Sequence, residues 1–414
     1  MSTYTDPHAR GRRCAIAAAA FGAALIAPTV TVGADGRRTP ELVGRAVLPV
    51  ETYAPGPPAG AGMVTPENGG VINGIEFPTP SQPVEGFSGI VAGERRGEYL
   101  AMADNGFGNK LNSFDFHIRA YVLRPDFKTA RGGSGNVAVG PYIEFSDPWR
   151  RIGFPITNET GARVLTGADI DPESIQRGRH GDFWIGDEFG PWLLHFDAEG
   201  RLLEAPYSLP DGLVAATNPR PGGPVTVNNS RGIEAMAMTP NGRFLYVVLE
   251  GTVIGDPTGS RRVYEFDVRR RTFTGRLPDY RVELEPNGTD AHFVADAQAL
   301  DRHRLLIVER DGAVAAFRRV YEVDLREVGP DGSLAKREVV DLAAIPDPHG
   351  VSLPPIHEGD VGLGDPFRVM CESIEALHVL PGRRLLLGCD NNFPNTGRNP
   401  NLADDNELIV VETR

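Results

Sequence analysis

Acidic residues beside short apolar runs are the side chains of this chain whose types and spacing best suit chemistry. The run Asp171-Pro172-Glu173 opens one such region, and the doublet Asp187-Glu188 follows the apolar residues 183–186. Carboxylates gathered in one place repel one another strongly unless a cation neutralises them. Oxygen-only clusters of Asp, Glu and Asn suit Ca²⁺ or Mg²⁺, whereas Zn²⁺ favours His and Cys. A hard-cation site is therefore the first chemistry that the sequence indicates.

The same plan of strand, turn, strand and acidic residue recurs five times along the chain. Aromatic and β-branched runs bounded by Gly, Pro and Asp are typical of strands and turns. Aligning the copies gives equivalent first-strand positions at Ser88, Glu173, Glu234, Gln298 and Glu375. The positions after the second strands are Asp104, Asp187, Glu250, Glu309 and Asp390, with Asn105, Glu188 and Asn391 next to them. The acids therefore belong to a repeated β unit.

Repeats of short strands without helices favour radial packing, and four strands with acidic ends favour a β-propeller over a β-sandwich. The last copy shows only three strands, and residues 42–50 could supply the fourth beside residues 407–413. We predict an all-β propeller of five or six four-stranded blades, closed by pairing of its N- and C-terminal strands. Residues 35–414 would form this single domain.

The N-terminus predicts export. Arg10, Arg12 and Arg13 precede an apolar, Ala-rich stretch at residues 14–27, which is the pattern of a signal peptide over residues 1–34. General secretory and twin-arginine export both stay open, as does an N-terminal membrane anchor. We expect a secreted or extracytoplasmic protein. Cys371 and Cys389 would remain after cleavage, either as a disulfide or as free thiols.

The formal net charge of -13 argues against a nucleic-acid partner, because phosphate backbones attract clustered Lys and Arg. No second apolar run is long enough to span a bilayer, so we expect no membrane span after signal cleavage. A monomer that acts on a small molecule, either an ester or a phosphoester, is the expectation.

Loops at equivalent strand ends of a propeller gather at one face, so the repeated acids would converge there. We predict Ca²⁺ or Mg²⁺ as the cofactor. The predicted catalytic residues are Glu173, Glu188 and Glu234. The predicted metal ligands are Asp104, Asp187, Glu250, Glu309, Glu375, Asp390 and Asn391. The predicted substrate-binding residues are Asn105, Lys110, Arg231 and Arg310.

Four runs of this sequence resemble the family called esterase-like activity of phytase, or phytase-like domain: DPESI, DFWIGDEFGPWLLHFDAEGRL, RGIEAMAMTPNGRFLYVVLEG, and SIEAL with LLLGCDNN. The resemblance covers roughly residues 70 to 412. It implies a secreted or periplasmic β-propeller that hydrolyses phosphate or carboxylic esters, distantly similar to the alkaline phytases with clustered Ca²⁺. Lys is scarce near the acidic motifs, unlike the phytase site, and the resemblance assigns no catalytic residue.

Three functions remain open at this point. The first is an exported, cation-dependent hydrolase of phosphoesters or carboxylesters. The second is a sugar-lactonase-like propeller, which Asn105 and Asn391 would suit as cation ligands. The third is a non-catalytic extracytoplasmic binding propeller whose acids serve turns or a stabilising Ca²⁺. The GxSxG signature of the serine hydrolases does not occur in the sequence.

Overall fold

Short apolar runs between Gly-, Pro- and Asp-rich turns form strands throughout this computed structural model. It describes residues 39–220, 223–312 and 315–413, so the predicted signal peptide lies outside the described residues. Two short 3₁₀ helices occur at Ala61–Met63 and Pro210–Gly212. No helix of the described part is long and apolar enough to cross a membrane.

The strands of the described ranges are, in chain order, β1 (Glu41–Leu48), β2 (Tyr53–Ala54), β3 (Val71–Ile72), β4 (Ile75–Glu76), β5 (Gln82–Pro83), β6 (Phe87–Ala92), β7 (Tyr99–Ala103), β8 (Arg119–Asp126), β9 (Asn136–Glu144), β10 (Pro172–Arg177), β11 (Phe183–Asp187), β12 (Trp192–Phe196), β13 (Tyr207–Ser208), β14 (Ile233–Met238), β15 (Phe244–Leu249), β16 (Ser260–Arg261), β17 (Val263–Asp267), β18 (Thr272–Arg276), β19 (Tyr280–Arg281), β20 (Phe293–Ala299), β21 (Arg304–Arg310), β22 (Arg318–Val328), β23 (Leu334–Asp341), β24 (Ser373–Leu380), β25 (Arg384–Asp390) and β26 (Asn406–Glu412).

Antiparallel four-stranded units are the basis of the architecture. Three of them are separate sheets, with strand orders β10-β11-β12-β13, β14-β15-β17-β18 and β20-β21-β22-β23. The other two lie in one eight-stranded sheet of order β24-β25-β26-β1-β9-β8-β7-β6. We number the repeats one to five by their first strands, which are β6, β10, β14, β20 and β24.

Strand β1 completes the fifth repeat although it comes from the other end of the described chain. It pairs antiparallel with β26 from Glu41↔Glu412 to Leu48↔Asn406. It pairs with β9 at a single parallel position, Val47↔Asn136, so the strand ladder between repeats five and one is short. Arg45 Nε donates to Glu407 Oε1 at 2.6 Å, and both side chains are buried.

Consecutive repeats pack face to face through alternating side chains. Ile185 on β11 lies in a buried cluster with Ile175 and Phe145, whereas its neighbour Trp184 lies in another with Met236 and Phe266 of the third repeat. Successive residues of a strand point to opposite faces, so one strand serves two cores. Each large apolar side chain buried in this way contributes ~1.5–3 kcal/mol.

A β-bulge interrupts the first hairpin of every repeat at an equivalent place. The pairing register shifts on either side of Ser88, Glu173, Glu234, Ala295 and Glu375. A bulge leaves one residue unpaired and re-aims its side chain. Four of these positions are those that the sequence predicted, but in the fourth repeat the bulge holds Ala295. The alignment that placed Gln298 there is wrong by three residues, because Gln298 pairs with Leu306 in regular register.

Cys371 and Cys389 form a disulfide with an S–S distance of 2.08 Å. Cys371 precedes β24 and Cys389 lies on β25, so the bridge fastens the first hairpin of the fifth repeat. Both cysteines are buried in the core between the fourth and fifth repeats.

Candidate metal centre

The first strands of the five repeats lie side by side in a cycle. Strand β6 neighbours β10, β10 neighbours β14, β14 neighbours β20, β20 neighbours β24, and β24 neighbours β6. Side chains at the five bulges therefore converge. Ser88 Oγ donates to Glu375 Oε2 at 3.1 Å, and carboxylate oxygens of Glu173, Glu234 and Glu375 all lie within 4.8 Å of one another.

A second ring follows from the pairing register of the second strands. The residues paired just before each bulge are Ala103, Asp187, Leu249, Glu309 and Cys389. The next residues along the chain are Asp104, Glu188, Glu250, Arg310 and Asp390. Neighbouring residues of a strand face opposite sides, so these five side chains are the equivalent ones that face the side chains at the bulges. In the second and fourth repeats the ring position is thus Glu188 and Arg310, one residue beyond Asp187 and Glu309.

We call the converging carboxylates the acid ring. Its members come from the bulges, from the ends of the second strands and from the residue before β10: Asp104, Asp171, Glu173, Glu188, Glu234, Glu250, Glu375 and Asp390. All eight are buried. Among the described residues, three groups have carboxylate oxygens within 4.8 Å and could hold a metal ion: Asp171 with Glu173 and Glu188, Glu173 with Glu234 and Glu375, and Glu188 with Glu234 and Glu250.

Arg310 carries a positive charge into one side of the acid ring. Its Nη2 donates to Glu375 Oε1 at 2.5 Å and to Glu250 Oε1 at 3.3 Å, and lies 3.8 Å from Glu234 Oε1. Burial acts to lower the pKa of Arg310, but these three carboxylates more than offset that effect and raise it. The guanidinium is therefore a fixed counter-ion for the third and fifth repeats.

The opposite side of the ring contains Asp171, Glu173 and Glu188. Asn105 Nδ2 donates to Asp171 Oδ1 at 2.7 Å, and the backbone N–H of Gly232 donates to Glu188 Oε1 at 3.1 Å. Hydrogen bonds thus hold one oxygen of each of these two carboxylates in place. No Arg or Lys of the described chain lies within ion-pair distance of this cluster.

Burial and mutual repulsion raise the pKa values of this cluster. Burial raises the pKa of Asp171 to about 6, although hydrogen bonds with Glu173 and Asn105 oppose the change. Burial, followed by the charges of Asp171, Glu234 and Glu375, raises the pKa of Glu173 well above its usual range. The pKa of Glu188 is raised likewise, by burial and by Glu250. Deprotonating all three carboxyls therefore requires a compensating cation.

Asp187 and Glu309 lie outside the ring, each engaged by other groups. Asp187 Oδ1 accepts the N–H of Asp171 at 2.9 Å and its Oδ2 accepts the N–H of Gly190 at 2.7 Å. Glu309 Oε2 accepts the hydroxyl of Tyr280 at 2.6 Å and an N–H of Lys336 at 2.8 Å. The first carboxylate therefore braces a turn, and the second links β21 to β19 and to β23.

Asp104 and Asp390 occupy adjacent ring positions with a third acid, Glu85, beside them. Glu85 is fully buried and accepts no hydrogen bond from any described residue. Burial raises its pKa well above the usual range, and the charges of Asp104 and Asp390 add to the shift. Nearby, Asn391 Oδ1 accepts the N–H of Gly86 at 3.0 Å while its Nδ2 donates to the carbonyl of Asp404, so its side chain joins two loops.

The remaining predicted substrate-binding residues lie at the edge of the ring. Lys110 Nζ donates to the carbonyl of Thr217 at 2.6 Å and lies 4.2 Å from the Phe189 ring centroid. Burial lowers the pKa of Lys110, although Asp187 and Asp171 oppose the shift. Arg231 donates to Glu250 Oε2 at 2.5 Å, and a third of its side chain is exposed.

Sequence reasoning assigned no role to two acids of this site, Asp171 and Glu85. Asp171 opens the DPESI motif, and its position two residues before Glu173 was a usable signal. Glu85 lies outside the repeated pattern, three residues before Ser88, and nothing in the sequence singled it out.

The donor set of the Asp171–Glu173–Glu188 cluster fits a hard divalent cation. It offers carboxylate oxygens only, within 4.8 Å of one another, and contains no His or Cys. Such sets suit Ca²⁺ or Mg²⁺. On the other side of the ring, the guanidinium of Arg310 already supplies the positive charge.

The site and fold define an all-β protein whose repeated hairpins converge on buried carboxylates. The sequence profile of the phytase-like family, described as esterase-like activity of phytase, matches residues 82–393. The chain belongs to this family. A protein described as an uncharacterized secreted protein from Arthroderma benhamiae is 28% identical over 152 residues, which cover 32% of this chain and 28% of that protein. The match thus spans less than a third of the relative's length.

Distant likenesses to solved structures also occur. An endo-arabinanase from Bacillus licheniformis is 10% identical with a TM-score of 0.38, covering 80% of this chain and 93% of that one. The calcium-binding protein regucalcin from Agrobacterium tumefaciens is 14% identical with a TM-score of 0.39 and the same coverage. An exo-β-1,3-galactanase from Phanerochaete chrysosporium is 7% identical with a TM-score of 0.40, covering 80% and 61%. At these scores, none of them transfers a ligand or a substrate to this chain.

Proposed function

We propose that this protein is a secreted hydrolase of ester bonds that depends on a divalent cation, Ca²⁺ or Mg²⁺, held by Asp171, Glu173 and Glu188. The observation that carries the proposal is that these three buried carboxylates converge within 4.8 Å while the guanidinium of Arg310 neutralises only the other side of the ring. Membership of the phytase-like family supports hydrolysis of a phosphoester or carboxylester.

The architecture that we infer for this enzyme is a closed propeller of five blades. The cyclic order of the five first strands supports it, as does the pairing of β1 with β26. In such a ring the bulges point into a central channel, and the acid ring lines its mouth. We infer secretion from the N-terminal sequence pattern and from the relative described as secreted.

The three carboxylates around the cation would have different roles. When bound, a divalent cation supplies Lewis-acid chemistry, polarising an ester oxygen and lowering the pKa of water. Asp171 and Glu188 are held by Asn105 and Gly232, which suits fixed ligands. Glu173 would bind the cation through one carboxylate oxygen, and its raised pKa suits a general base that takes a proton from the attacking water at the other oxygen.

A second candidate is a propeller that binds the cation for stability and has no catalytic activity. The burial of every acid in the ring favours it, because Asp104 and Glu173 are the most exposed members at 9% each. A substrate would have to reach carboxylates that are at least nine-tenths buried. The same cation site therefore supports either a catalytic or a structural role.

The test begins with metal-stripped protein and a screen of phosphate, carboxylate and lactone esters with Ca²⁺, Mg²⁺ or Mn²⁺. The proposed enzyme hydrolyses at least one class only when a cation is added, and E173Q lowers kcat by 10²–10⁴-fold. The double variant E67Q/E76Q, which removes two exposed carboxylates, is the matched control and retains full activity. Full activity of E173Q would refute the assignment of the base. A raised melting temperature without any turnover would select the second candidate.

A further inference from the structure

Arginines gather at the ends of repeats two and three that lie away from the acid ring. A cleft of about 610 Å³ opens there between the turns β10–β11, β14–β15 and β17–β18. Its arginines are Arg179, Arg243, Arg269 and Arg271. Strand β10 begins beside the ring and ends at Arg177, so four residues of extended chain, roughly 13 Å, separate Glu173 from Arg177, and Arg179 lies in the turn that follows.

The carboxylates of this region already have partners among its basic side chains. Asp267 accepts from Arg243 at 3.1 Å, and Glu204 accepts from Arg271 at 3.0 Å. His195 contributes as well, with Nε2 at 2.9 Å from Asp182 and Nδ1 at 2.8 Å from Glu204. Arg179 and Arg269 are exposed, and neither forms an ion pair with a described residue. Two guanidinium groups are thus left for a ligand, in a chain of net charge -13.

Packed side chains line the cleft, in addition to the charged groups. Gly242 has φ +63°, and a Cβ at that position would lie 2.4 Å from Cγ of Arg179. The stem of Arg179 therefore lies directly on the turn, which only glycine permits. Trp184, Leu203 and Val268 add apolar surface. The imidazole of His195 stacks on Trp184 with 3.9 Å between ring centroids, so the wall is fixed by packing.

We propose that this cleft is a second ligand site, separate from the acid ring, that binds an organic phosphate. The phosphate would pair with Arg179 and Arg269, and the organic part would lie against Leu203 and Val268. Guanidinium groups match the oxygens of a phosphate with paired, charge-assisted hydrogen bonds. The volume lies in the range of small-molecule sites. An anion would be repelled by the carboxylates of the ring and attracted here.

The test is isothermal titration calorimetry of the whole protein with phenyl phosphate and with inorganic phosphate, in the presence of a chelator. The chelator removes any phosphate binding through a cation in the acid ring, so the result does not depend on the proposed hydrolase. Phenyl phosphate should bind the unaltered protein more tightly than inorganic phosphate does. The double variant R179Q/R269Q should weaken its binding at least tenfold.

The matched control is R96Q/R131Q, which removes two exposed arginines elsewhere and gives the same net charge. It should change the affinity for phenyl phosphate less than twofold. Equal weakening in both double variants would show a general charge effect and overturn the proposal, as would no binding by the unaltered protein. Binding to vesicles that contain phosphatidic acid, without binding of phenyl phosphate, would assign the cleft to a lipid headgroup and overturn the small-molecule site. Thermal melts of both variants check that they fold.

Discussion

Repeats two and four occupy equivalent places around the acid ring but bring opposite charges to it. The second repeat contributes Glu173 at its bulge and Glu188 after its second strand, whereas the fourth contributes Ala295 and Arg310. The bulge and the pairing register are the same in both. The backbone plan is therefore independent of the charge that it presents, and a single side chain decides which part of the ring remains free for an external cation.

The largest effect is expected from removing the internal cation with R310Q. Glu375 would then lie buried without an ion-pair partner and Glu250 would keep only Arg231; breaking a buried ion pair in this way typically costs about 3–5 kcal/mol. Urea denaturation of metal-stripped R310Q should show this loss in the free energy of unfolding. Added Ca²⁺ should restore part of this loss by binding between Glu234, Glu250 and Glu375, where Arg310 supplies the positive charge in the unaltered protein. A loss below about 1 kcal/mol would mean that Arg310 does not neutralise the ring.

Adding Ca²⁺ or Mg²⁺ to the unaltered, metal-stripped protein should raise its stability by about 2.7 kcal/mol at a hundredfold excess over Kd. The variant E188Q removes one oxygen ligand on the second repeat's side and should lose most of this gain, whereas the surface control E67Q/E76Q should keep it. Thermal melts with and without cation measure the difference. An undiminished gain in E188Q would place the cation elsewhere in the protein.

The pH dependence of stability tests the same comparison, with an effect of up to about 3 kcal/mol for a pKa shift of about two units. Burial raises the pKa of Asp171 from 3.8 to about 6, so the folded state binds its proton more tightly than the unfolded state does. In chelator, this group therefore stabilises the fold below pH 4 and loses that contribution as the pH rises through about 6. Relative to the unaltered protein, D171N should become more stable across that window. Saturating Ca²⁺ should reverse the difference above pH 6, because cation ligands must be deprotonated.

The smallest effect is expected from R231Q. Arg231 and Arg310 both donate to Glu250, but the side chain of Arg231 is 34% exposed and that of Arg310 only 9%. Water screens the more exposed pair, so R231Q should cost less than about 1 kcal/mol in urea denaturation. A cost equal to that of R310Q would show that exposure does not distinguish the two arginines.

Much of the fold followed from the sequence because alternating apolar runs and turn residues are local signals. They located the paired hairpins, the strand near residues 42–50 and four of the five bulge positions. The predicted alignment of the fourth repeat was wrong because Ala295 lacks the polar side chain by which the other copies were aligned. Its nearest polar candidate, Gln298, stands three residues later.

The site was harder to predict, since one residue of register decides which side of a strand a carboxylate faces. The doublets Asp187-Glu188 and Glu309-Arg310 each offer two candidates. The alignment placed the first of each pair at the repeated position and predicted Glu188 as catalytic and Arg310 as substrate-binding. The bulge shifts the pairing by one residue, so the second of each pair enters the ring. The partners of Asp187 and Glu309 are backbone N–H groups and distant side chains, which only the folded chain brings near.

The pairing of β1 with β26 also determines when this protein can finish folding. Arg45 and Glu407 are 362 residues apart, so the first strand has no long partner until nearly the whole described chain has emerged. Until then β1 is an open edge that could pair with another molecule, and contacts so distant in sequence form slowly. A chain cut short before residue 406 would keep that edge exposed. Only a chain that includes β26 can therefore pair β1 and complete the fifth repeat.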